Sequence, residues 1–377
     1  MTSSGSTPPA DAGPSGTTVD GASRPAVETA RPTGMLALEI GEQPAALERQ
    51  LVDGRNSAIA VAAAIRSRNP QSIVMAARGS SDNAARYAQY LLGAHNRLLV
   101  SLATPSLFTL YGAPPRLANA AVIGVSQSGR SPDIVAVLDE AREQGALGIA
   151  VTNDPTSPLA RAASHCLPLH AGPERSVAAT KTYTTQLCAL AMLSAALDDG
   201  PSRWSELERL PELALETLRL NADLTAADDR LSASERLFVI GRGFNYATAF
   251  EVALKIKETG YLVAEPYSSA DFRHGPAAVV GRGFPVVLIA PSGRALSDVA
   301  ELTELCRRRG APVVAISDAR AALGSADLQL PIPAGVPEWL SPLLSVIPGQ
   351  LFAVSLARAR GLDPDNPRGL SKVTETR

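Results

Sequence analysis

Apolar residues along this chain change period several times, and the changes mark its elements. From Met35 onward Leu36, Leu38, Ile40, Leu47, Leu51, Ile59, Val61 and Ile65 recur at helical spacing. Short β-branched runs follow, each closed by a polar turn and succeeded by a longer helical segment. The first run, Ser72 to Ala76, ends in Arg78-Gly79-Ser80-Ser81. Its pattern returns from Leu237 to Gly241, ahead of Arg242-Gly243. The run before Ser126-Gln127-Ser128-Gly129-Arg130 returns before Pro291-Ser292-Gly293-Arg294, with the Ser-Gly-Arg triplets 164 positions apart. Gly148 to Asn153 matches Val313 to Asp318, and Leu167-Pro168 matches Leu330-Pro331. Four strand ends in step predict two copies of one unit. Strands alternating with helices predict an α/β class with parallel sheets covered on both faces. Such sheets bind ligands beyond the carboxyl ends of their strands, where each polar cluster here lies.

A length of 377 residues with 45% apolar content is enough for two domains with sizeable cores. The net charge of −2 and pI near 6.2 argue against a nucleic-acid or polybasic membrane binder. Cys166, Cys188 and Cys306 form neither a disulfide framework nor a Cys-x-x-Cys site, which predicts a reducing, cytoplasmic setting. No apolar run approaches the ~20 residues of a spanning helix, so no membrane partner is expected. Residues 1–34 are rich in Ser, Thr, Gly, Pro and Ala without a secretion-signal pattern, and read as a disordered tail. Composition changes the picture at one point. Only four of the 35 basic residues are lysines, namely Lys181, Lys255, Lys257 and Lys372. A compact ammonium is not replaced by a guanidinium fork, so these four stand out as candidates for chemistry.

The segment Ser126 to Asp133 joins a strand to a helix, with Ser131 as N-cap and Pro132 at the first helical position. The hydroxyls of Ser126, Ser128 and Ser131 and the free helix N–H groups suit a phosphate dianion, and Arg130 could add charge. An ordinary capped βα loop is the plainer alternative. A serine-hydrolase elbow lacks its second Gly. Pro291 in the second copy, where the first has Gln127, removes donors, so the first copy is expected to hold the ligand. The segments 78–83 and 174–182 add polar clusters at the same sheet edge. Glu251, Lys255 and Glu258 share one helical face, either as a solvated surface pair or as an ionised base with its cation. His274 lies in a Gly-Pro loop, where it is either incidental or a proton shuttle. The adjacent His165 and Cys166 point to opposite faces of a strand, so no metal site is expected there. The polar C-terminus reads as a frayed tail but for Lys372. A nicotinamide dinucleotide site is disfavoured, because Gly241-x-Gly243-x-x-Tyr246 lacks the third glycine.

Taken in order, these clusters resemble the sugar isomerase (SIS) family. The matching segments are Gly79-Ser80-Ser81, Ser126 to Gly129, Val177-Ala178-Ala179-Thr180-Lys181, Gly241-Arg242-Gly243, Glu251 to Glu265, His274-Gly275-Pro276 and Pro367-Arg368 with Lys372. The resemblance implies two tandem SIS domains, each a flavodoxin-like parallel sheet flanked by helices. The expected spans are 35–205 for the first, 206–350 for the second and 351–377 for a C-terminal helix and active-site tail. It implies that Gly79, Ser80, Ser81, Ser126, Gln127, Ser128, Ser131, Val177, Ala178 and Ala179 bind the sugar phosphate. It assigns Glu258 as the base between sugar C1 and C2, and Lys255 as a lysine near it. His274 opens the ring from a neighbouring subunit of a homodimer, and Lys372 closes over the sugar. No cofactor or metal is implied.

Departures sharpen the expectation. Thr2, not the cysteine of a glutaminase, follows Met1, which predicts no use of glutamine; Ala179 stands where the family has a serine. The Ser126 to Asp133 loop is similar to that of deaminases of this family. The expected reaction is conversion of glucosamine 6-phosphate to fructose 6-phosphate and ammonia. Alternatives are a dehydratase expelling the C3 hydroxyl of N-acetylglucosamine 6-phosphate, and a non-catalytic sugar-phosphate sensor.

Overall fold

A computed structural model describes residues 34–198, 202–224 and 229–372. The expected N-terminal tail, apart from Gly34, and the last five residues lie outside them. Two sheets of five strands form, and all their pairings are parallel. The first holds β1 (Ser72–Ala76), β2 (Val100–Leu102), β3 (Ala120–Val125), β4 (Leu147–Thr152) and β5 (His165–Pro168), in the order β2-β1-β3-β4-β5. The second holds β6 (Arg236–Gly241), β7 (Val263–Ser268), β8 (Val286–Ile289), β9 (Val313–Ser317) and β10 (Leu328–Pro331), in the order β7-β6-β8-β9-β10. Each strand of the second sheet takes the place of its counterpart five earlier. The repeat read from the sequence is therefore one topology used twice.

Both faces of each sheet are covered, because the side chains of a strand alternate. Along β6, Leu237 and Val239 enter one apolar cluster while Phe238 and Ile240 enter another. In the first sheet Ile73 and Met75 face one cluster and Ala76 and Val122 the opposite one. Period-2 burial on both faces is what makes these strands nearly continuous apolar runs.

The helices Gly79–Asn96, Lys181–Leu197, Asn245–Gly260 and Ser341–Ala359 join the two copies. The last of these corrects one expectation. Glu338–Ala359 is long and apolar enough to cross a membrane by length and composition, but 94% of its most apolar window is buried inside the protein. Leu343, Leu344 and Ile347 pack with the first sheet's cluster, and Phe352, Ala353 and Leu356 with the second's. Serving two cores at once requires apolar residues all round the helix. Boundaries expected at 205/206 and 350/351 fall inside the helices Ser202–Glu208 and Ser341–Ala359. The three cysteines are free thiols, and burial pushes those of Cys166 and Cys306 up to about 11.

Candidate active site

Beyond the carboxyl ends of β1 and β3 lies a cavity of about 350 Å³. Its wall is supplied by the turn at Gly79–Ser81, the loop 125–131, the segment around Glu174 to Ala179, Glu258 and the tail residues 370–372. All three polar clusters seen in the sequence thus meet at one place.

The 126–131 loop is shaped by close approach. Gly129 has φ +62°, and a Cβ added there would lie 2.1 Å from Ser157 Oγ. Its N–H donates to Ser126 Oγ at 3.2 Å, and the Arg130 N–H donates to Ser128 Oγ at 3.3 Å. Ser131 is the N-cap of the helix Pro132–Glu143, but its hydroxyl makes no cap bond. It instead faces Ser126 Oγ at 3.4 Å. A helix start and hydroxyls around one concavity suit an anion. Arg130 is corrected: it is exposed and faces Asp154 at 3.8 Å, away from the cavity lining.

The equivalent loop of the second copy is already filled. The Ser292 N–H donates to Asp318 Oδ1 at 2.6 Å, and the space beside Gly293 is taken by the Glu338 carboxyl. Protein carboxylates stand against this loop, and none of its residues lines the cavity of about 350 Å³.

The second copy supplies a helix to the first copy's site. On Asn245–Gly260 the spacing of Glu251, Lys255 and Glu258 does bring them together. Lys255 Nζ lies 3.4 Å from Glu251 Oε1 and 2.6 Å from Glu258 Oε2. The surface-pair alternative fails, since the Glu251 and Lys255 side chains are 0% and 2% exposed. Glu251 also accepts from Ser80 Oγ at 2.9 Å and Asn83 Nδ2 at 2.8 Å, locking the helix to Gly79–Asn96. Burial alone would lower the Lys255 ammonium's pKa. The carboxylates of Glu251 and Glu258 outweigh burial and hold it above the ordinary lysine range. Lys255 is therefore a permanent cation behind Glu258, and it does not line the cavity.

Glu174 was visible in the sequence only as part of a polar loop. Its side chain is fully buried, and it accepts from the Thr180 and Thr182 N–H groups at 2.9 and 3.1 Å and from Thr182 Oγ1 at 2.7 Å. Lys372 Nζ completes its shell at 2.6 Å. Burial would raise this carboxyl; the Lys372 ammonium and the Thr180 and Thr182 donors prevail and hold it below the usual carboxylate range. The ion pair brings the chain's tail over the cavity.

Of the other residues singled out, Gly79, Ser80, Ser81, Ser126, Gln127, Ser128, Ser131, Val177, Ala179, Glu258 and Lys372 line the cavity. Ala178 is buried and does not line it. Ser81 Oγ accepts from Gln186 Nε2 at 2.9 Å. His274 is exposed at the end of the helix Ser269–Arg273 and does not line the cavity of its own chain. Lys181 pairs with Glu39 at 3.5 Å and with Glu42, which ties it to the first helix and away from the site.

The family model of the SIS domain matches residues 67–196 and again 230–360. The chain belongs to the SIS family. Each match brackets one five-stranded sheet. Among SIS relatives, the chain is 35% identical over 340 residues to the isomerizing glutamine–fructose-6-phosphate aminotransferase of Pyrococcus horikoshii. The match covers 89% of this chain and 56% of that one, so the chain spans little more than half the length of such curated relatives. A provisionally named phosphosugar isomerase from Silicibacter pomeroyi superimposes with a TM-score of 0.79 at 37% identity, covering 88% of this chain and all of the other. The C-terminal domain of glucosamine-fructose-6-phosphate aminotransferase from Francisella tularensis gives 0.80 at 28%, covering 89% and 99%. The two SIS copies are therefore similar to the C-terminal domain of such an aminotransferase.

Proposed function

We propose that this chain is an aminosugar-6-phosphate deaminase/isomerase acting on glucosamine 6-phosphate without glutaminase activity. One observation carries the reading: the 126–131 anion loop, Glu258 and Lys372 open on a single cavity. The phosphate docks in the loop, which sets the sugar's other end toward Glu258. His274 from a second copy of the chain opens the ring. Glu258 takes the C2 proton beside the new carbonyl and returns it at C1. The product is the imine of fructose 6-phosphate; water adds at C2 and ammonia leaves. The Glu258 carboxylate is the base of this step. Lys255, fixed at 2.6 Å, orients it. The substrate's own carbonyl takes up the negative charge, so the scheme uses no cofactor.

A second reading has its own support in Val177 and Ala179, whose apolar side chains line the cavity. They suit an N-acetyl group, with which the same C2 deprotonation would expel the C3 hydroxyl as water and leave an unsaturated sugar. Incubation with glucosamine 6-phosphate and with its N-acetyl form decides. Ammonia and fructose 6-phosphate in equal amounts support deamination. An ultraviolet-absorbing product from the N-acetyl form alone supports dehydration, and no turnover of either overturns both.

A further inference from the structure

Four charged side chains line the cavity: Arg78, Lys372, Glu174 and Glu258. All four have a charge partner, and three of them are paired through the end of the side chain. Lys372 and Glu174 pair at 2.6 Å, and Glu258 is met by Lys255 at 2.6 Å. Arg78 is built differently. It is the N-cap of the helix Gly79–Asn96, with extended backbone, so it stands where β1 hands over to that helix. Its Nε donates to Asp133 Oδ2 at 2.8 Å, and Asp133 sits in the first turn of the helix that follows the anion loop. The two partners are unequally buried: 50% of the Arg78 side chain is exposed against 1% of Asp133. The second oxygen, Oδ1, accepts the Ile134 N–H at 3.0 Å. The carboxylate thus grips the guanidinium by its inner nitrogen and is held in turn by the helix it starts. The outer two nitrogens, which form the planar fork that suits a phosphate, carry no hydrogen bond to the described residues.

We infer that Arg78 is the cationic arm of the phosphate site, with Asp133 as its positioning residue. This rests on the sugar-phosphate reading above and deepens it by naming the residue that selects phosphorylated over plain sugars. Hydroxyls and helix N–H groups orient a dianion, but a fork-shaped cation contributes bidentate, charge-assisted bonds that neutral donors lack. If the Arg78–Asp133 pair were only a tie between two helices, a half-exposed arginine on the cavity wall would add nothing that a buried contact could not.

The test uses the whole chain and inorganic phosphate as probe, by calorimetry, alongside kinetics on glucosamine 6-phosphate. Arg78→Gln is expected to weaken phosphate binding about 10- to 100-fold and to raise KM for the sugar phosphate in parallel, with kcat nearly unchanged. Arg78→Lys, which keeps the charge without the fork, should lose about three- to tenfold with an unchanged melting temperature, and decides the matter should the glutamine variant not fold. Phosphate affinity within threefold of wild type in a folded Arg78→Gln protein, or in Arg78→Lys when the former does not fold, overturns the inference. Phosphate calorimetry is independent of turnover. Wild type that binds phosphate but processes no hexosamine phosphate would overturn the reaction and leave Arg78's role to the binding data.

Discussion

Replacing Lys255 by Met tests how the two copies are joined at the site. The ammonium sits between Glu251, Glu258 and Ser80, at 3.4, 2.6 and 3.2 Å. Methionine fills similar space but strands the Glu251 carboxylate, whose side chain is 0% exposed, with only the Ser80 and Asn83 donors. Removing one partner of a buried pair costs about 3–5 kcal/mol. Burial already holds the Glu251 carboxyl above the usual carboxylate range in the wild-type chain, against the pull of the Lys255 ammonium; without that ammonium it rises further, and Glu251 escapes part of the cost by taking up a proton. A carboxyl raised in this way contributes most below its unfolded pKa and loses stability as pH rises toward the folded one. At ~1.36 kcal/mol per pH unit, the variant should lose up to about 2.7 kcal/mol against wild type between pH 5 and pH 7. Urea unfolding of both proteins at the two pH values measures this. A deficit under about 1 kcal/mol at pH 7, or one that does not grow with pH, would refute the claim that the Lys255 ammonium offsets the burial of Glu251's carboxyl. Adding Glu251→Gln to the variant should recover much of the loss, since no buried charge is then left unpaired.

Other consequences follow from the same geometry. Gly129→Ala places a Cβ 2.1 Å from Ser157 Oγ at a φ of +62°, and should cost about 1–3 kcal/mol in urea unfolding and abolish phosphate binding by calorimetry. Glu174→Gln removes the charge that holds Lys372, so limited proteolysis should cut the tail faster. The stability difference from wild type should be full at neutral pH and fade as pH falls below the ordinary glutamate value of ~4.3, because the native carboxyl is held low. Mixing inactive Glu258→Gln and His274→Ala chains under conditions that exchange subunits should restore about a quarter of wild-type activity, the statistical yield of one intact shared site in half the dimers. No restoration would place His274 outside the neighbouring chain's site.

Local order in the sequence carried much of this structure. Strand runs at offsets near 164 foretold two sheets of one topology, because each strand has to be apolar on both faces. The shared face of Glu251, Lys255 and Glu258 follows from helical spacing alone. What spacing does not encode is which distant groups meet. Glu174 and Lys372 are 198 positions apart, and the glutamate's importance appears only once Thr180, Thr182 and the tail converge on it. Arg78 reads as one more loop residue until Asp133 is found behind it. Scarcity made all four lysines look functional, yet Lys181 is a strut to Glu39 and Glu42, and Lys257 is exposed. The buried 341–359 helix completes two cores at once, a role that no linker composition marks in the sequence.

Proton exchange at sugar C2 tests the central claim most directly. With glucosamine 6-phosphate in heavy water, the wild-type chain should wash deuterium into the C1 and C2 positions, seen by proton NMR. Glu258→Gln, still binding inorganic phosphate like wild type, should exchange at least about a thousandfold more slowly. Exchange at the wild-type rate in that variant would show that the carboxylate at 258 does not move the proton.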